Sequence, residues 1–401
     1  MKSNFPDFDA VIDRRGTNSL KWAAASDMLS KEQAAGEPLP MWVADMDFKA
    51  PDEVLDALQD AVSFGVFGYP AGPSRGYLSA VSDWQGRRFG WNVEQDWIVP
   101  TSGVITALKT AIQAFSSPGD SVLIQPPVYA HFRNDVLLNG RNVAEAPLRF
   151  DGGRYHFDAG VFESAIRDDT KLFILSNPHN PTGNVWSTAD LRAMGEICQR
   201  RGVLVIADEI HQDFVLNPKM KHVPFASLGT KFASQSLTCI AASKTFNLAG
   251  MQCANVVSPD AKLKAEFVRQ LDRNQMNKVN LLGMVATEVA YRHGADWVDG
   301  LVAYIAENQR VFAAEVNAQK SGLKTLEMDS LYLAWIDCRS LNLHPDELEN
   351  IMLTKAGVWF DKGTKFGLEG HGFMRANLGC PRATVRKAIR GLSTLGDLAA
   401  S

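Results

Sequence analysis

This sequence predicts an α/β fold: a large domain with a mostly parallel sheet sandwiched by helices, plus a smaller α+β domain. Two observations carry that expectation. Four apolar, β-branched runs, "SVLIQPP" (121–127), "KLFILSNP" (171–178), "GVLVIADEI" (202–210) and "SLTCIAASK" (236–244), lack polar alternation, as strands buried on both faces do. The residues able to do chemistry stand just past the ends of those runs, where open α/β sheets bind their ligands.

The first element, "PTSGVITALKTAIQAFSSPGD" (100–120), reads as a loop opening a helix, with Ser102 and Gly103 at its start. Free backbone N–H groups at such a start form a ready site for phosphate. The run at 121–127 leads to Tyr129, and the run at 171–178 leads into "NPHNPTG". Between the second and third runs lies "STADLRAMGEICQRRG", with Leu191, Met194, Ile197 and Cys198 at helical spacing. Ser187 and Asp190 suit a capping box and Gly202 the far end, so a βαβ crossover of about thirty residues is expected. The third run ends in "DEIH", which places Asp208, Glu209 and His211, and the fourth ends at Lys244.

Composition narrows the function. The 401 residues carry a net charge of -4, so no basic field recruits nucleic acid or an anionic membrane. No apolar run approaches the roughly 18 residues needed to span a bilayer. The five cysteines, Cys198, Cys239, Cys253, Cys338 and Cys380, show no metal-ligand spacing. They suit a reducing compartment, and no metal is expected. The opening "MKSNFPDFDAVIDRRG" mixes acids and bases without the apolar core of a signal peptide. A soluble cytoplasmic protein is the expectation. No G-x-G-x-x-G fingerprint follows any strand, which argues against a dinucleotide-dependent dehydrogenase.

An amine, a buried acid, an aromatic and an anion cradle around one crevice suit pyridoxal 5'-phosphate (PLP). Lysine can join its aldehyde as a Schiff base, and a carboxylate keeps the pyridine nitrogen protonated so that the ring accepts electrons. Taken singly the residues say less. An isolated lysine reads as solvated, His211 as a structural histidine, Tyr129 as a core aromatic and Arg375 as a surface ion-pair partner. Their shared position at the strand ends supports the chemical reading for Lys244 and Asp208.

"NPHNPTG", "ADEIH", "SKTFNLAG" and "FMRANLGCPR" resemble the fold-type I PLP enzymes of the class I/II aminotransferase superfamily, in order and spacing along nearly the whole chain. "IDRRGTNSLKW", "LPMWVADMDF", "GVFGYP", "PPVY" and "SKTFNLAGMQ" narrow the likeness to the MalY/PatB branch of cystathionine β-lyase type C–S lyases. The resemblance implies an aspartate aminotransferase-like fold with roles residue by residue. Lys244 would be the Schiff-base lysine and the acid/base at the substrate α-carbon. Asp208 would pair with the pyridine nitrogen, Asn180 would bond the cofactor's phenolic oxygen with His211 nearby, and Tyr129 would stack on the ring. Gly103, Val104 and Ser243 would cradle the phosphate, with Tyr69 reaching over from the second subunit of a homodimer. Arg375 would clamp the substrate α-carboxylate, with Trp42 and Ala44 lining its pocket. Where many members carry an arginine eight residues after the lysine, this chain has Gln252, which fits the C–S lyase branch.

The implied reaction is α,β-elimination on a small sulfur amino acid, cystathionine or another cysteine S-conjugate, giving pyruvate, ammonia and a thiol. An aminotransferase of the same fold is the alternative. Some members of the branch are associated with binding a transcription factor, so a regulatory protein partner is a further expectation. The implied division is an N-terminal arm with part of the small domain (1–45), a PLP domain (46–289) and a C-terminal small domain (290–401). "NQMNKVNLLG" (274–283) reads as the linker and "DKGTKFGLEGHG" (361–372) as a mobile loop leading to Arg375.

Overall fold

The structure, a computed structural model, describes residues 6–397. The first five residues of the N-terminal arm and the last four of the C-terminal region lie outside the described residues.

Seven strands form the main sheet, in the order Ile98–Thr101, Ala254–Val257, Ser236–Ile240, Leu204–Asp208, Thr170–Ser176, Ser121–Ile124 and Asn142–Glu145. Pairing is parallel from Ser236–Ile240 onward, whereas Ala254–Val257 runs antiparallel to both neighbours. The four apolar runs are strands, and successive side chains explain their lack of alternation. Val122, Ile124, Leu172, Ile174 and Ile206 pack on one face against the helices Val104–Phe115, Ala130–Leu138 and Ala261–Arg273. Leu123, Phe173, Leu175, Val205 and Ala207 pack on the other against Ala159–Ala165 and Thr188–Arg201. A period of two with helices on both faces demands apolar residues at every position.

The crossover helix Thr188–Arg201 starts at a capping box formed by Ser187 and Asp190 and ends at Gly202, in the left-handed conformation with φ 66°. The fourth run differs from its sequence reading. Its strand stops at Ile240, and Ala242–Thr245 makes a single helical turn that carries Lys244. The antiparallel strand Ala254–Val257 has no clear signal in the sequence, because four residues that include a buried Asn255 give no clear period.

A second, antiparallel sheet is ordered Lys324–Thr325, Leu333–Asp337, Phe373–Asn377, Asp361–Lys362. Its core gathers the helices Pro345–Thr354 and Arg382–Ser393. The long helix Ala295–Asn317 joins the two regions: Trp297, Leu301 and Ile305 belong to one core, Val311, Phe312 and Val316 to the other. The segment 274–283 is not a free connection. Asn280 caps the helix Leu281–His293, which packs on Asp52–Phe64 and Arg75–Phe89. Nor does 361–372 read as a loose loop, since it folds into two short 3-10 turns, Gly363–Phe366 and Leu368–Gly370, laid against each other. Among the described residues no helix is long and apolar enough to cross a membrane.

Candidate active site

The carboxyl ends of the central strands open into a cleft with about 240 Å³ of free space. Ala44, Ser102 to Thr106, Tyr129, Asn180, Asp208, His211, Ser243, Lys244 and Gln252 border it.

Lys244 is partly buried on its helical turn, and its Nζ donates to the Ala44 carbonyl at 2.7 Å. Burial, and next the Arg375 charge, lowers the amine to about 8, against the pull of Asp45 and Asp208. The turn is tethered from behind, where Thr245 Oγ1 donates to the buried Asp213 at 2.7 Å. Asp208 ends the neighbouring strand. Among the described residues its carboxylate accepts one hydrogen bond, from the Ile210 N–H at 3.2 Å. Desolvation raises the carboxyl to about 7, with Ile210 and Lys244 acting in the opposite direction. A lowered amine beside a raised acid marks a site that resists holding both charges without a ligand.

Asn180 sits in a loop fixed by backbone and side-chain bonds. Its N–H donates to Ser176 Oγ at 3.2 Å, and Gly183 N–H donates to the His179 carbonyl at 2.8 Å. His179, fully enclosed, makes a 2.9 Å contact between its Nε2 and the Pro127 carbonyl, which joins this loop to the segment before Tyr129. Tyr129 precedes the helix Ala130–Leu138, and burial raises its phenol to about 12. His211 is buried beside Tyr332 with Nδ1 unpartnered among the described residues, and desolvation drives its pKa well down, so the ring is neutral.

At the far side of the cleft the helix Val104–Phe115 begins at Gly103, with no acidic residue in its first turn and no side-chain cap. The first N–H groups of a helix have no partner within it, and here residues 103–106 present that end to the cleft beside Ser243 and Gln252. The donor set fits PLP: a phosphate-sized anion at the helix start, an amine for an aldehyde and a carboxyl for a ring nitrogen.

Arg375 is buried on the second sheet and bridges the two regions. Its Nη1 donates to Asn180 Oδ1 at 3.2 Å, and its Nη2 to the Trp42 carbonyl at 3.0 Å and to Asp361 Oδ2 at 2.8 Å. Trp42 therefore meets Arg375 through its backbone, while its indole stacks on Trp359 with centroids 4.7 Å apart. Tyr69 stands apart from this cleft. It is 97% exposed between the helices Asp52–Phe64 and Arg75–Phe89.

Several residues of the site went unassigned in the sequence. Asn247 binds Met46 N–H and the carbonyls of Met46 and Phe48, and Tyr332 donates to the Ala44 carbonyl at 2.9 Å. With Asn377 on the Val43 and Asp45 carbonyls, they hold residues 42–48 as a strap across the cleft. Asn247 and Asn377 lie inside the quoted motifs "SKTFNLAG" and "FMRANLG", a usable signal. Glu209 is a hydrogen-bonded carboxyl, accepting from Phe225 N–H at 2.8 Å and Asn177 at 3.1 Å, with His222 Nε2 3.1 Å away.

Residues 40–392 match the family described as aminotransferase class I and II. The chain is 42% identical over 384 residues to cystathionine beta-lyase PatB of Bacillus subtilis, covering 96% of this chain and 98% of that protein. It is 30% identical to protein MalY of Escherichia coli, over 96% of this chain and 97% of MalY. Cystalysin of Treponema denticola, whose crystal structure contains a PLP cofactor, superposes with a TM-score of 0.92 at 32% identity, covering 98% of this chain and 99% of that one. The chain belongs to the class I and II aminotransferase family, in the branch that holds PatB and MalY.

Proposed function

We propose that this protein is a PLP-dependent carbon–sulfur lyase acting on cystathionine or another cysteine S-conjugate. The observation that carries the reading is that the Lys244 amine and the Asp208 carboxyl border one cleft at neighbouring strand ends, together with an uncapped helix start. The 42% identity to a cystathionine beta-lyase supports this class of substrate.

PLP, when bound, supplies an electron sink for the substrate's α-carbon. Lys244 would hold its aldehyde, Asp208 its ring nitrogen, Asn180 its phenolic oxygen with neutral His211 nearby, and Tyr129 its ring face. Gly103, Val104 and Ser243 would hold its phosphate. Arg375 orients the substrate through its carboxylate, in a pocket to which Ala44 and the Trp42 carbonyl belong. Lys244 then takes the α-proton, for which an amine lowered to about 8 is well matched at neutral pH. The C–S bond breaks with its electron pair on sulfur, the thiol leaves, and the three-carbon remainder hydrolyses to pyruvate and ammonia.

Incubation with cystathionine and no keto acid is the test. The expected products are pyruvate and a thiol, and Lys244→Ala releases neither. Turnover only when a keto-acid acceptor is added would make the protein an aminotransferase instead.

The proposal includes a cytoplasmic homodimer whose Tyr69 completes the neighbouring subunit's site. Tyr69 follows exposed Phe64, Val66 and Phe67, an apolar run suited to a second copy. Five buried, unpaired cysteines suit a reducing compartment. We keep the division at about residue 289, with the long helix Ala295–Asn317 shared between the domains. A regulatory protein partner is compatible with this chemistry, and a pull-down from native lysate tests it separately.

A further inference from the structure

We infer that Asp361 is a specificity-determining residue: in the resting site its carboxylate holds the guanidinium position that the substrate's α-carboxylate takes over. This rests on the reading of Arg375 as the carboxylate clamp.

A guanidinium offers a carboxylate two forks, one along its end through Nη1 and Nη2 and one along its side through Nε and Nη2. Both forks need a hydrogen of Nη2. That nitrogen has two hydrogens and already two acceptors, the Trp42 carbonyl at 3.0 Å and Asp361 Oδ2 at 2.8 Å. A bidentate substrate therefore has to displace one of them. The Trp42 carbonyl belongs to the strap, whose next carbonyls are held by Asn377 and by Lys244 and Tyr332. Asp361 is a side chain with a second partner, since its Oδ1 accepts from Lys365 Nζ at 2.7 Å. It can release Arg375 and remain paired.

The Nε–H of Arg375 points the same way, being buried without a partner among the described residues. A substrate carboxylate in the side fork satisfies Nε and replaces Asp361 on Nη2. Electrostatic balance agrees. Arg375, Asp361 and Lys365 together carry one positive charge, matched by one incoming carboxylate. A neutral amide or ester in that position brings no charge to replace Asp361, so the site selects free α-carboxylates over their neutral derivatives.

Propionate, which has no amine to react, is the probe, and its affinity for the PLP-loaded enzyme is read from a thermal-shift titration. Asp361→Asn removes the competitor and should tighten propionate about fivefold. Lys365→Met removes the alternative partner and should weaken propionate, with that effect vanishing in the Asp361→Asn background. If Asp361 merely held Arg375 in place, Asp361→Asn would loosen propionate, and this outcome overturns the inference. Lys365→Met carries the test by itself should Asp361→Asn fail to fold, and unchanged propionate affinity in it overturns the inference too. If propionate binds neither wild type nor Asp361→Asn, the clamp itself falls, while pyruvate release from cystathionine still decides the lyase reading independently.

Discussion

At the scale of single residues, the site is governed by the desolvation of two groups. Asp208 titrates at about 7 in the folded chain against an ordinary value of 3.8. Between those values the folded protein keeps a proton that the unfolded chain has released, so stability is lost as pH rises through that window. Asp208→Asn in the cofactor-free protein removes this loss. Its stability relative to wild type should grow from pH 4 to pH 7, by a few kcal/mol in total, and then level off. Urea unfolding at pH 4.5 and pH 8 checks the slope, and an unchanging difference would mean that the carboxyl is not desolvated. The same variant should bind PLP more weakly, read from its visible absorbance on titration. Lys244 has the opposite sign. Lowered to about 8 from 10.5, it makes the folded state gain stability as pH rises between those values, because the unfolded chain then holds the extra proton.

Secondary-structure elements divide into those that only hold the sheet and those that aim a side chain. The helix Thr188–Arg201 is of the first kind. Ser187→Ala breaks its capping box and should lower stability by about 1 kcal/mol, leaving pyruvate release unchanged. The double turn after Asp361 is of the second kind. A Cβ on Gly370 would stand 2.0 Å from the Gly363 carbonyl oxygen, so the two turns can approach only as glycines. Gly370→Ala should cost about 3 kcal/mol and lower KM for the amino-acid substrate, because Asp361 opens that segment and competes less for Arg375 once displaced. A melting temperature and KM both equal to wild type would show that the close approach does not position Asp361. Gly103 acts by conformation alone. At φ 154° and with no atom within 4 Å of a Cβ, it lets the chain enter the helix without a side chain over the free N–H groups.

For the whole molecule, the arrangement of polar links matters more than their number. Arg375, Asn377 and Tyr332 from the C-terminal region and Lys244 and Asn247 from the main-sheet region all bind the strap 42–48. The strap thus couples the position of the small sheet to the lysine. The exposed run Val62, Phe64, Val66, Phe67 and Tyr69 leaves apolar surface that the proposed second copy would cover. Phe67→Asp should convert a dimer to a monomer in light scattering after gel filtration, and the monomer should lose PLP on dialysis faster than wild type. A Phe67→Asp protein that stays dimeric and retains its cofactor would place the interface elsewhere.

Much of this was legible in one dimension because the signals are local. Unbroken apolar runs state that both faces of a strand are covered, and Ser187, Asp190 and Gly202 mark a helix by their own side chains and backbone. Lys244, Asp208 and Asn180 stand near strand ends, so the order of strands suffices to expect them together. The sequence alone determined the α/β class, the crossover and the set of residues that could meet. Only the tertiary structure decided how they meet: the antiparallel Ala254–Val257, the Trp42 indole stacked on Trp359 and the Ala44 carbonyl on Lys244. The Asp361–Arg375 pair, fourteen residues apart but opposite one another across two strands, belongs with these. Backbone carbonyls carry no residue-type signature, and strand register is set by the packing of the whole chain, so contacts made through either are invisible until the fold is closed.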